Sequence, residues 1–140
     1  MSVSTIIRQA MADGLCAGLE LEEGIGFPPA QGKPNTVFVA SANGPTAIDY
    51  RPGPGTPASW CNPARYYRAV FLAGPADWQD AFEWLDDMAE RVQSVCAANP
   101  TLDGLVNSWA VSAISEHQLY GDVPSIEVTF GPLVAIPQEQ

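Results

Sequence analysis

Positive charge, histidine and cysteine are all scarce in this 140-residue chain. Lys and Arg number 6 against 16 Asp and Glu, a formal net charge of −10. Phosphate-backbone binding depends on Lys and Arg displacing counterions, so this balance argues against broad nucleic-acid binding. It argues equally against adsorption to an anionic membrane. The one histidine, His117, lies far in sequence from Cys16, Cys61 and Cys96, and no Cys-x-x-Cys occurs. That set makes a poor zinc site and a poor disulfide framework, and it fits reduced thiols in a reducing compartment. No apolar run approaches the roughly 18 residues of a membrane span. Met1–Leu15 lacks the basic start and apolar run of a secretory signal. Charged residues make up only 16%, a small share for a fully wetted surface, which points to cover by a partner.

What is present is apolar and heavily punctuated. Hydrophobic residues reach 46%, with 13 Pro and 12 Gly. The composition is that of one globular domain over residues 1–140 with much loop.

Apolar residues Val3, Ile6, Ile7, Ala10, Met11 and Leu15 recur at helical spacing, with Ser2 or Ser4 as cap. Ala10, Gly14 and Gly18 form a ridge of small residues suited to close packing against another element. Gly and Pro break the chain from Glu20 to Pro34. Asn35–Ser41 and Arg65–Leu72 read as strands. In the second, Tyr66, Arg68, Val70 and Leu72 share one face, and Arg65, Tyr67, Ala69 and Phe71 the other.

Asp77 is a good N-cap for the strongest helix, with Asp80 in its first turn. Trp78, Ala81, Phe82, Leu85, Met88, Ala89, Val92, Val95 and Cys96 make its apolar stripe. Asn99-Pro100 ends it, with Asn99 expected in a left-handed position. Leu105–Glu116 shows strand alternation, with Val111 and Ala113 on one face and Ser112 and Ile114 on the other. His117–Pro124 reads as a turn-rich connection. Ser125–Phe130 alternates cleanly, with Ile126, Val128 and Phe130 inward, and Leu133–Ile136 is expected to extend the strand beyond the Gly131-Pro132 break. The expected fold is therefore α+β: a mainly antiparallel four-stranded sheet with two helices on one face, in the order α-β-β-α-β-β.

Candidate chemistry is thin. Glu83, Asp87 and Glu90 lie on one helix face, but successive turns give a ladder of carboxylates, not a converging cage for a cation. His117 reads as an exposed turn residue. Cys61 has no fixed basic partner that would activate it. No serine sits in a Gly-x-Ser-x-Gly elbow. Gly53-Pro54-Gly55 lacks a lysine and loses a donor at its proline, so it is no phosphate cradle. Arg65 and Arg68 fall on opposite strand faces and cannot form one basic patch. What stands out is the long Pro/Gly-rich loop at about 43–64, beyond the usual length of a structureless connection. It carries Tyr50, Arg51 and Trp60, residue types that anchor protein interfaces. Tyr50, Arg51, Trp60, Arg65 and Arg68 are the candidate partner-contact residues.

The segment "AVFLAGPADWQDAFEWLDDMAERV", the final "SIEVTF" strand and the order of elements resemble the tail terminator proteins of long-tailed bacteriophages. These are also called minor tail or tail-completion proteins. The resemblance covers nearly the whole chain as architecture and pattern. It implies a ring, usually of six copies, that caps the tail tube and docks onto the head–tail connector or stopper protein. Its protein partners are then further copies of itself, the tube protein and the connector. DNA passes through without specific binding, and the location is the virion, assembled in the host cytoplasm. The resemblance implies no catalysis, no metal and no cofactor. The chain departs from compact members in its second loop. In a closed ring the acidic balance is expected to line the opening and keep passing DNA from sticking. The rival readings are another neck or connector component, an acidic binding module of inhibitor or immunity type, and a carboxylate-dependent hydrolase.

Overall fold

In the computed structural model, residues 3–23, 35–41 and 65–136 are described. Helix α1 (Val3–Leu19) leads to β1 (Glu22–Glu23), β2 (Thr36–Ser41) and β3 (Arg65–Leu72). Helix α2 (Trp78–Ala98) follows, then β4 (Val111–Ile114), β5 (Gln118–Tyr120) and β6 (Val123–Leu133). The fold is α+β. The strands lie in the order β1-β2-β3-β6-β4, with β5 also pairing β6. All pairings are antiparallel except the two-residue parallel pairing of β1 with β2.

Both helices cover one face of the sheet, as the apolar stripes require. Ile7, Met11 and Leu15 of α1 and Leu85, Met88 and Val92 of α2 are buried in one cluster with strand residues. The strand residues include Val37, Tyr67, Ala69, Phe71, Ile126, Val128, Phe130 and Leu133. Burying side chains of this size stabilises by roughly 1.5–3 kcal/mol each. Phe38, Val70 and Leu72 form a smaller cluster with Tyr120 and Val123. The alternation expected along β3 and β6 is therefore observed. The small ridge on α1 serves close packing: a Cβ on Gly18 would lie 2.7 Å from Val95 Cγ2 of α2, and one on Gly14 would touch the Trp109 ring.

Helix α2 starts as expected, with the Asp77 carboxylate accepting from the Asp80 N–H. Its end differs. Asn99 has φ −144°, not a left-handed backbone. Its side chain instead accepts from the Asp103 N–H at 3.0 Å, and the left-handed residues are Leu102 and Asp103. Asn99 thus organises the following turn with its amide and does not need to bend the backbone itself.

Three further features depart from the sequence expectation. First, two short strands, β1 and β5, lie in segments that read as breaks, because two or three residues give no measurable period. Second, Leu105–Trp109 is not strand: Leu105 is in a turn and Val106 makes an isolated bridge to Ala135. Third, β4 carries a bulge. Val111 pairs with Phe130, Ala113 with Thr129 and Ile114 with Val128, leaving Ser112 as the extra residue. Val111 and Ile114 consequently share the helix side, and Ala113 faces away.

The expected extension of the last strand past Gly131-Pro132 is observed as far as Leu133, where β6 ends, and Ala135 beyond it makes an isolated bridge to Val106. The step from Phe130 to Leu133 faces the shorter step from Tyr67 to Arg65, so a bulge absorbs the proline. Gly131 sits at φ +130°, and a Cβ there would come within 2.6 Å of the Arg65 carbonyl oxygen.

Candidate functional site

The N-terminal half of α2 and the β4–β5 edge build the most distinctive surface. Phe82, on the helix stripe, lies flat on His117, with ring centroids 4.6 Å apart and planes within 10°. His117 Nε2 donates to Asp86 Oδ1 at 2.8 Å. Trp78 meets Phe82 edge-on at 5.8 Å. His117 is therefore a clasp between the β4–β5 connection and α2, not an isolated turn residue. The sequence offered no signal for this, because Asp86 and His117 are 31 residues apart.

Around this clasp lie apolar side chains that the fold leaves in solvent. Trp78 is 53% exposed, Leu119 54% and Ile114 41%. Ile114 and Leu119 flank His117 in the chain and pair with Val128 and Pro124, which puts both on the helix side of the sheet. Trp78 read from the sequence as part of the buried stripe. It stands at the first residue of α2, and half its surface stays in solvent. Asp77, Asp80, Glu83 and Asp86 at the start of α2, and Glu116 and Asp122 on either side of β5 in the chain, are all exposed.

The candidate contact residues of the sequence do not assemble there. Tyr50, Arg51 and Trp60 lie outside the described residues, as do Cys61 and the rest of loop 43–64. Arg68 faces away from the helices and ion-pairs with Glu127 across β3 and β6 at 3.2 Å. Arg65 pairs with Leu133, a residue of the helix-side core. Its Nε is buried and has no hydrogen-bond partner among the described residues. The two arginines thus stay on opposite faces.

Glu83, Asp87 and Glu90 are all exposed, and Asp87 approaches Arg91 only loosely at 3.9 Å. Among the described residues, no group of three or more His, Cys, Asp or Glu is placed to hold a metal ion. Among the same residues, no helix is long and apolar enough to cross a membrane. Cys96 is buried against the core, and desolvation pushes its thiol up to about 12, which leaves it protonated and a poor nucleophile. A cleft of about 630 Å³ opens between the ends of α1 and α2. Gly14, Gly18, Val95 and Trp109 line it with Arg91 and Ser94.

Compared with known proteins, the chain matches no family model and no curated protein.

Proposed function

We propose that this chain is a structural subunit of the tail terminator kind. In that role, identical copies associate side by side into a ring, usually of six, that caps a phage tail tube and joins it to the head–tail connector. It carries out no bond chemistry and needs no cofactor. Its partners are further copies, the tube protein and the connector protein, and its place is the virion after assembly in the host cytoplasm.

One observation supports this reading above the others. Among the described residues, the β4 edge of the sheet has no strand beyond it, and its helix side carries exposed Ile114. A free sheet edge is a surface that native proteins cover or use. Joining this edge to a different surface of the next copy gives a heterologous contact, the kind that closes into rings. A duplex passing through such an acidic ring meets few cations to hold it.

The test is mass measurement with negative-stain imaging, alone and with tail-tube ends added. The expected result is a ring with a central hole, forming at high protein concentration or on the tube ends. An Ile114→Glu variant is expected to lose it. A chain that stays monomeric with tube ends in excess overturns the reading.

The second reading is an acidic binding module of inhibitor or immunity type. Exposed Trp78 between two carboxylate-bearing residues, Asp77 and Asp80, favours it. It requires a stable monomer or small dimer that blocks a basic protein, with no response to tube ends.

A further inference from the structure

We propose that the Trp78 and Leu119 surface is a docking site for an arginine-bearing apolar segment of another protein. The inference goes beyond the ring reading and does not depend on it.

The surface combines two features that separately mean little. The first is apolar exposure at fixed geometry. Trp78 rests on Phe82, Phe82 on His117, and His117 is held by Asp86, so the large ring is presented from a supported base and not from a loose end. Leu119 shares this side of the sheet through its pairing with Pro124. Both side chains are more than half exposed. Aromatic residues presented in this way dominate protein interfaces.

The second feature is charge, and it selects the occupant. The chain's net charge of −10 resides wholly in residues 69–140, where Arg91 is the one Lys or Arg against eleven Asp and Glu. Residues 1–68 balance five against five. Asp77 and Asp80 flank Trp78 in the chain, Glu116 adjoins His117, and Asp122 follows Leu119 by three residues. All four are exposed. Two copies meeting through this same surface would bring like charges together, which disfavours a symmetric dimer. A guanidinium over the Trp78 face gains a cation–π contact, and its remaining donors reach the neighbouring carboxylates. An apolar side chain beside the arginine then covers Leu119.

The test uses a short synthetic peptide with three arginines around one leucine, titrated into the isotopically labelled protein at low salt. The expected result is that the largest NMR shifts fall on the Trp78 indole N–H and Leu119, with Trp78→Ala weakening affinity by about fivefold. Leu119→Ser is expected to weaken it without altering the rest of the spectrum. A charge-matched lysine peptide is expected to bind less tightly, because an ammonium cannot stack on the ring while bridging two carboxylates. Shifts spread evenly over all exposed carboxylates, with Trp78→Ala binding as the parent does, overturn the proposal. So does self-association through Trp78 that the peptide fails to displace. Ring formation is scored separately by sedimentation, so loss of the ring reading leaves this outcome standing, and the reverse also holds.

Discussion

His117 stacks on Phe82 with ring planes 10° apart while its Nε2 reaches Asp86 Oδ1 at 2.8 Å. This contact joins the β4–β5 connection to α2 at the point where the edge of the sheet is interrupted between these two short strands. Ser115 pairs with Glu127 through its backbone N–H, and its hydroxyl accepts from the Glu127 N–H. Gln118 resumes the ladder opposite Ser125. Glu116 and His117 are left to arch between these anchor points, and the stack fixes the arch.

His117→Ala removes both the stack and the hydrogen bond. The expected loss is about 1–2 kcal/mol, held down by the partial exposure of the pair. Urea unfolding measures it. His117→Phe keeps the stack and is expected to recover about half. Equal losses in His117→Ala and His117→Phe would show that the stack contributes nothing.

Gly18→Ala tests the α1–α2 contact. Alanine is the better helix former by about 1 kcal/mol, so propensity alone favours the change. The new Cβ would lie 2.7 Å from Val95 Cγ2, and a β-branched side chain on a helix has little rotamer freedom to withdraw. Overpacking is expected to win, with a net loss of about 1–2 kcal/mol in thermal or urea unfolding. Val95→Ala in the same chain is expected to relieve it.

The parts of the fold that depend on local period were legible in the sequence. The α2 stripe, its Asp77 cap, the alternation of Ile126, Val128 and Phe130 and the opposite facing of Arg65 and Arg68 each follow from spacing within one element. The bulges were not legible. Ser112 is an extra residue only relative to Thr129 and Phe130 on β6, so β4 alone cannot reveal which face Ile114 takes. Misreading that single step put Ile114 on the wrong side. The candidate surface was hidden for a related reason. Trp78 and Phe82 fit one stripe by spacing, but burial of each depends on what the sheet places beneath it. Phe82 finds His117 there, whereas more than half of Trp78 stays in solvent.

Gly131→Ala is expected to be more severe than Gly18→Ala. The residue sits at φ +130°, a backbone region that side-chain-bearing residues rarely adopt. Its new Cβ would come within 2.6 Å of the Arg65 carbonyl oxygen, and that oxygen belongs to the strand paired with it. Relief would require parting β3 from β6 at the centre of the sheet. A loss of at least about 2 kcal/mol is expected, read from the urea midpoint. A variant as stable as the parent would mean that the bulge relaxes at no cost.

Cys96 provides the pH test. Its thiol is raised from 9.0 to about 12 because burial disfavours the thiolate. In the unfolded chain the same thiol ionises near 9.0, so above that pH the unfolded state has lost a proton that the folded state retains. Stability from this group is therefore fully present below about pH 9 and falls as pH rises towards 12. The slope it adds is at most about 1.4 kcal/mol per pH unit. Comparing the parent with Cys96→Ala isolates it from every other group that titrates in alkali: the difference in unfolding free energy between the two is expected to shrink as pH rises above 9. Iodoacetamide at neutral pH is expected to leave Cys96 unlabelled in the folded protein and to label it after urea unfolding. Rapid labelling of the folded chain at Cys96 would mean that the α2 stripe opens at that position far more often than its burial implies.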